Sequence, residues 1–300
     1  MGPSHALMVR IATRSSALAI AQARQVGELL GGAELVEVSS DGEPGDKSRF
    51  VRGVERALLD GGAEIGVHSA KDLPAELPDG LAIAAAPARE DPADVWIGAG
   101  ASLGDVPEGA RVGTASLRRR AQLLAARPDL RVSELHGNVD TRLRKLAEGE
   151  LDAIVLALAG LRRLGREDEV SFAIPAEAMT PAAGQGALVL QVRAGDEEAA
   201  AAAGAIGDET ALRELTAERA AVSLLEATCA TPIGVRAQVN GERILADAFV
   251  GLPDGSEWIR DRVEGEAEQP APLGALLAGR LLAAGAGEIL DRAEEWNGRV

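Results

Sequence analysis

Four segments of this 300-residue chain put a strand end, a small or hydroxyl residue and basic groups at the start of a helix. They are Thr13-Arg14-Ser15-Ser16, His68-Ser69-Ala70-Lys71-Asp72, Thr114-Ala115-Ser116-Leu117-Arg118-Arg119-Arg120 and Gly137-Asn138-Val139-Asp140-Thr141-Arg142. The free N–H groups and positive dipole end of a helix N-terminus hold carboxylates or phosphates. In open α/β sheets, ligands also bind at the carboxyl ends of the strands. One such corner alone reads as a capped helix with solvated arginines. Four of them in a chain of net charge −16 read as a local basic cleft for a polyanionic ligand. No GxxxxGK[ST] loop is present, which points to carboxylates rather than a nucleotide.

The elements that must position these corners follow from hydrophobic periodicity. Strands are expected over 9–13, 35–38, 64–68, 81–86, 95–97, 111–114, 131–135 and 153–157. Helices are expected after a Ser15 or Ser16 cap and over 50–59, 117–126 and 139–147. This βαβ rhythm predicts mostly parallel sheets covered by helices. A strand near 187–192 has no partner nearby in sequence, so the chain is expected to cross between two domains more than once. The last third differs: a helix over 209–226, then runs over 235–239, 244–250 and 258–263 separated by Asn240-Gly241 and Pro253-Asp254-Gly255. That is an antiparallel meander, covered by one final helix over 273–296. The expected domains are 1–88 with 187–206, 92–182, and 209–300.

Composition narrows the function classes. The chain is 46% hydrophobic and 26% charged, with no Tyr, which is ordinary for a soluble globular protein. Its net charge of −16 argues against nucleic acid and against anionic membrane surfaces as partners. No apolar run reaches transmembrane length, and the N-terminal MGPSHALMVRIATR lacks the pattern of a signal peptide, so a cytoplasmic location is expected. Cys229 is the one cysteine, which leaves no intramolecular disulfide and no cysteine metal cluster. Taken alone it reads as a small buried hydrophobe. His5, His68 and His136 have no metal-ligand spacing.

A larger pattern runs through the chain. It comprises Arg10-Ile11-Ala12-Thr13-Arg14 with Gln22, His68-Ser69-Ala70-Lys71-Asp72, Arg89-Glu90-Asp91-Pro92, and Gly113-Thr114-Ala115-Ser116-Leu117-Arg118-Arg119. It continues with Gly137-Asn138 and Thr141-Arg142-Leu143, Ala159-Gly160-Leu161 with Arg163-Leu164-Gly165, Gly184-Gln185-Gly186-Ala187, and Cys229 with Pro232-Ile233-Gly234. In order and spacing these segments resemble the porphobilinogen deaminases (hydroxymethylbilane synthases) over nearly the whole chain.

The resemblance implies two α/β domains like the halves of a solute-binding protein, joined by two hinges, with the active site between them. It adds a small C-terminal α+β domain with an antiparallel sheet. It implies a monomeric transferase that joins four porphobilinogen molecules head to tail and releases ammonia, working on a dipyrromethane cofactor bound by thioether to Cys229. Asp72 matches the catalytic aspartate; on its own it reads as a turn residue in KDLP. The resemblance assigns Lys71, Asp72, Thr114, Ser116, Arg118, Arg119 and Arg142 to the cofactor. It assigns Arg14, Ser16, Gln22, Arg89 and Arg163 to the substrate. Arg suits carboxylates because its fork pairs with them through two hydrogen bonds. Blander readings stand beside some of these: helix capping for Ser16, a solvent-facing position for Gln22, and a solvated helix face for Arg162-Arg163. Arg120 and Arg144 read as surface charge.

Three departures from the family pattern stand out. His136 replaces the usual Arg before Gly-Asn. The segment 39–48 is several residues shorter than the usual Gly-rich lid, though Lys47 and Phe50 resemble its basic and aromatic remnants. Ala227-Thr228 replaces Gly-Gly before the cysteine, and Thr is stiff and disfavours positive φ. Two readings stay open at this level: a full deaminase, or a paralogue that carries the dipyrromethane arm but makes a shorter product or none. A non-enzymatic anion receptor of the solute-binding type would need no cysteine arm and no third domain.

Overall fold

The computed structural model describes residues 8–39, 49–74, 76–227 and 231–296. Among the sequence expectations, Cys229, Thr228, Lys47 and most of the lid segment lie outside the described residues. The chain divides into two compact units, residues 1–89 with 187–212 and residues 90–186 with 213–300.

The first unit is built on β1 (Arg10–Arg14), whose central residues Ile11, Ala12 and Thr13 are wholly buried. Such a run requires cover on both faces of its sheet. Ile11 packs with Ala23 and Val26 of α1 (Ala17–Leu29); Ala12, on the opposite face, packs with Val54 and Leu58 of α2 (Arg49–Leu59). Ser16 caps α1, its Oγ accepting from the Ala19 N–H at 3.3 Å. β2 (Glu34–Val38), β3 (Ile65–Ser69), β4 (Leu81–Ala85) and β10 (Leu188–Arg193) complete the sheet in the order β2-β1-β3-β10-β4. β1 pairs in parallel with β2 and β3, whereas β10 runs antiparallel to both β3 and β4. The isolated strand therefore finds its partners more than a hundred residues upstream. Because it returns from the second unit without a local crossover helix, it enters antiparallel, so the sheet is mixed rather than mostly parallel. The alanine run after it forms α6 (Glu197–Gly204), capped by Asp196, an element that the sequence pattern did not reveal.

The second unit holds two sheets. One has the order β7-β6-β8-β5-β9, from β5 (Asp94–Gly98), β6 (Arg111–Gly113), β7 (Arg131–Ser133), β8 (Ala153–Ala157) and β9 (Phe172–Ile174). It too is mixed, with β5 antiparallel to β8 and β9. α3 (Leu117–Ala126) and α4 (Val139–Ala147) fall where periodicity places them; α5 (Leu158–Arg163) and β9 were too short to be read. After α7 (Glu209–Leu224) comes the meander β11 (Ile233–Asn240), β12 (Arg243–Gly251) and β13 (Trp258–Glu266), antiparallel throughout. The expected final helix is two: α8 (Pro270–Ala283) and α9 (Ala286–Trp296), bent by 79°. Gly285, at φ +98, takes the left-handed conformation that stops the first. No single helix among the described residues is long and apolar enough to cross a membrane.

Glu218 joins α7 to its surroundings. It is wholly buried and accepts from the Gly184 N–H at 2.6 Å and the Ala237 N–H at 2.7 Å. Replacing it with Leu orphans two buried N–H groups, so Glu218→Leu is expected to cost about 2–5 kcal/mol, with Glu218→Gln losing less. Urea melts measure this; a midpoint unchanged by the Leu substitution would refute it.

Candidate active site

In the first unit the expected residues gather at the carboxyl ends of two neighbouring parallel strands. Arg14 closes β1. Lys71 and Asp72 lie in a three-residue 3-10 turn, Ala70–Asp72, that follows β3. The pairing of β1 with β3 brings the Arg14 guanidinium to 3.8 Å from the Asp72 carboxylate, with the two side chains 24% and 37% exposed. The turn is tied to β10's approach by the Ala70 N–H, which donates to Ala187 O at 3.0 Å. Ser16 spends an oxygen lone pair on its cap. Gln22 is buried within α1, which corrects the solvent-facing reading. Arg89 is half-buried.

In the second unit the corner before α3 is built from hydroxyls. Thr114, buried, accepts from the Ser116 N–H at 3.2 Å, and the Ser116 Oγ accepts from the Arg119 N–H at 3.4 Å. Arg118 and Arg119 turn inward and share Asp94, at the start of β5. Arg118 Nη1 donates to Asp94 Oδ2 at 2.6 Å and to Thr180 O at 2.8 Å. Arg119 Nε donates to Asp94 Oδ1 at 2.8 Å and its Nη1 to Val155 O at 2.9 Å. Gln185 Nε2 adds a bond to Asp94 Oδ1 at 3.1 Å. Burial alone would raise the Asp94 carboxyl; the charges of Arg118 and Arg119 and these hydrogen bonds outweigh it and hold the group down at about 2. Burial lowers Arg119, and the neighbouring Arg118 charge adds to that against the pull of Asp94.

Arg142, on α4, donates through Nε to Gly137 O at 2.8 Å. Burial, and then the charge of Arg119, bring it down to about 10; it stays cationic at neutral pH. Among the described residues no carboxylate pairs with it. Arg163, on α5, is half-buried and lowered by burial, and its Nη2 donates to Gly186 O at 2.8 Å. Its neighbour Arg162 takes the solvent side, pairing with Glu90 at 2.7 Å and Glu167 at 2.8 Å. The two arginines thus divide, and only Arg162 is the solvated face that the dipeptide suggests. Arg120 is half-buried, donates to Val132 O at 2.9 Å and keeps a buried Nε without a partner, so it is not surface charge. Arg144 is exposed, beside Glu148. His136 is exposed, with Nε2 2.7 Å from Glu134 Oε2.

Arg118 and Arg119 share the buried Asp94 carboxylate, and Arg142 lies close enough to feel the Arg119 charge, which leaves a local positive surplus. That donor set fits a group bearing several carboxylates, as a dipyrromethane with acetate and propionate arms does. Asp94 itself escaped sequence reasoning. Its signal was a lone acid heading the apolar run Val95–Ile97, a position where burial demands a paired charge. Because Asp94's folded-state pKa lies below its unfolded one, its carboxylate stabilises the fold above about pH 4, and the contribution fades as pH falls toward about 2. Asp94→Asn is expected to cost about 3–5 kcal/mol at pH 7 and to show a shallower loss of stability between about pH 4 and 2. Denaturant melts across pH test this, and wild-type melts for the variant at pH 7 would refute it.

Over residues 9–201 the chain matches the family model described as porphobilinogen deaminase, dipyromethane cofactor binding domain, and over residues 212–283 the one for the porphobilinogen deaminase C-terminal domain. Curated relatives named porphobilinogen deaminase include one from Syntrophus aciditrophicus, 42% identical over 96% of this chain and 99% of its own. Another, from Brevibacillus brevis, is 43% identical over 94% and 96%. Among solved structures, the L-cystine solute receptor of Neisseria gonorrhoeae superposes with TM-score 0.36 at 16% identity, over 66% of this chain and 85% of that one. Two family models in tandem and full-length relatives above 40% identity leave one assignment: the chain belongs to the porphobilinogen deaminase family.

Proposed function

We propose that Asp72 is the catalytic residue and Cys229 the covalent cofactor site of this transferase, which joins four porphobilinogen molecules head to tail, with loss of ammonia, into hydroxymethylbilane for tetrapyrrole biosynthesis. The observation that carries the Asp72 assignment is its approach to Arg14, 3.8 Å away, since two separate motifs meet there at the strand ends. When ammonia leaves the aminomethyl group of porphobilinogen, positive charge develops on the pyrrole. The Asp72 carboxylate offsets that charge and manages the proton lost when the rings join.

Arg14, Ser16, Gln22, Arg89 and Arg163 take the substrate's acetate and propionate in this reading. Lys71, Thr114, Ser116, Arg118, Arg119 and Arg142 hold the cofactor. Thr114 and Ser116 accept backbone N–H groups, so each keeps its own O–H to donate to a carboxylate. Arg118 and Arg119 act through charge more than through free forks, because Asp94 occupies them. Arg142 suits an external carboxylate best, being cationic, partly buried and unmatched by an acid among the described residues. When bound, the dipyrromethane would supply the pyrrole ring that accepts the first porphobilinogen. A thioether withstands the reductants that keep cytosolic thiols free, so one cysteine suffices.

The same reading has a monomer working in the cytoplasm, with neither nucleic acid nor membrane as partner; the net charge of −16 supports the last two. It also treats 1–88 with 187–206, 92–182 and 209–300 as three domains, a division supported by three separate sheets.

Intact-mass measurement tests the cysteine. Protein from cells that make porphobilinogen is expected to be heavier than its sequence by one dipyrromethane, and Cys229→Ser to lose both that mass and activity. An unmodified wild-type mass would refute the assignment. Asp72→Ala is expected to fold and bind porphobilinogen but to turn over at least about a hundredfold more slowly. Near-normal turnover would return Asp72 to the role of a turn residue.

A further inference from the structure

Four residues before Asp72, the first unit buries a row of polar side chains that the reaction as described does not use. His68, on β3, is 5% exposed, and its Nε2 lies 2.8 Å from Oε1 of Gln191 on β10. Gln191 Nε2 in turn donates to Oε1 of Glu55 on α2 at 3.4 Å. An amide oxygen only accepts, so the bond assigns the proton of the neutral imidazole to Nε2. Val54 and Leu58 close over the Gly66 side of the ring. Gly66 leaves the room: a Cβ there would stand 2.7 Å from Val54 Cγ1 and 3.3 Å from His68 Nε2.

A row of this kind is poor value as stability, because matched apolar side chains in its place are nearly neutral or better. Its position suggests another use. The antiparallel ladder pairs His68 with Val189 and Ser69 with Leu188, and the Ala70 N–H extends it to Ala187 O. The turn that follows has no side-chain cap at Ser69, and it closes on a long bond, 3.3 Å from the Leu73 N–H to Ala70 O. Its placement therefore depends on where the end of β3 is held. We propose that His68 is a positioning residue, whose hydrogen bond to Gln191 fixes the end of β3 and so the turn that presents Lys71 and Asp72. This rests on the reading of Asp72 as the catalytic carboxylate. Burial holds the imidazole's pKa at about 4, the Gln191 bond opposing and the charge of Arg14 reinforcing. The group thus does its work uncharged, beside an arginine that pairs with Asp72.

Steady-state kinetics and thermal melts on loaded enzyme test the proposal. His68→Leu is expected to lower kcat about tenfold with KM little changed. His68→Gln, which keeps an N–H donor in reach, should recover most of that loss. In His68→Leu/Gln191→Leu/Glu55→Leu, which replaces the whole row so that no buried polar group loses its partner, the melting temperature should return while kcat stays low. If kcat returns with the melting temperature, or never falls, His68 is a satisfied core histidine and the proposal is overturned. Should His68→Leu not fold, Gln191→Leu carries the same expectation, since it removes the acceptor. The Asp72→Ala background separates the two ideas. If Asp72→Ala turns over slowly and His68→Leu adds nothing to it, the effect passes through Asp72. A further tenfold loss in that background overturns positioning while leaving the carboxylate's role intact. Wild-type turnover by Asp72→Ala overturns both.

Discussion

One carboxylate holding two guanidiniums in a dry interior is the constraint that organises the second unit. Asp94 must be ionised for Arg118 and Arg119 to be tolerated there, and they must be cationic for Asp94 to be tolerated. Each group's remaining hydrogen-bonding capacity then recruits something else. Arg118 takes Thr180 O and Arg119 takes Val155 O. Gln185 takes Pro92 O at 2.6 Å as well as Asp94. Gln122, one turn along α3 from Arg118, both accepts from the Thr180 N–H at 2.7 Å and donates to Thr180 O at 3.0 Å. The Thr180 backbone and the Gln185 side chain are thereby held by side chains of β5 and α3.

The C-terminal sheet is tied into the same segment. Arg260 of β13 lies over the Phe249 ring, 5.1 Å from its centroid, and its Nη2 reaches Gln122 Oε1 at 2.9 Å and Ala178 O at 3.1 Å. Val235 of β11 donates its N–H to Pro181 O at 2.9 Å, and Glu218 of α7 receives the Gly184 N–H. The short antiparallel sheet is therefore fastened to the larger one through a polar seam rather than by apolar contact alone. Such a seam is demanding, because every donor in it must be met once water is excluded. It also fixes orientation more sharply than an apolar interface would, since a lost bond costs more than a lost contact.

What the sequence revealed and what it hid divide along a physical line. Local periodicity located α3 and α4 and the first strands, because their apolar spacing is set by the helix or strand itself. The Asn240-Gly241 turn marked the hairpin for the same reason. Strand direction was hidden, because β10 pairs with β3 and β4 across more than a hundred residues and nothing in its own pattern records that. α5 and β9 were hidden by shortness, and the break at Gly285 by the strong apolar pattern on both sides. At the site, residue types pointed to carboxylate binding, and the corners at Arg14 and Asp72 do lie together. Which arginines are spent inward was not legible: Arg118 and Arg119 look like Arg142 in sequence, and only Asp94 separates them.

That separation bears on the replacement at position 136. A permanent charge exposed to water is screened and weakly held, worth little beyond a Debye length. His136 is exposed and already has Glu134 2.7 Å away, so an Arg there would also have met a competing acid. Arg142 and Arg163 stand in the opposite condition. Both are half-buried and lowered by burial, the state in which a guanidinium gains most from an incoming carboxylate. In the proposed reading, Arg142 and Arg163 are therefore the arginines of the second unit best placed to gain from a carboxylate, and the imidazole at 136 stands where a charge does least.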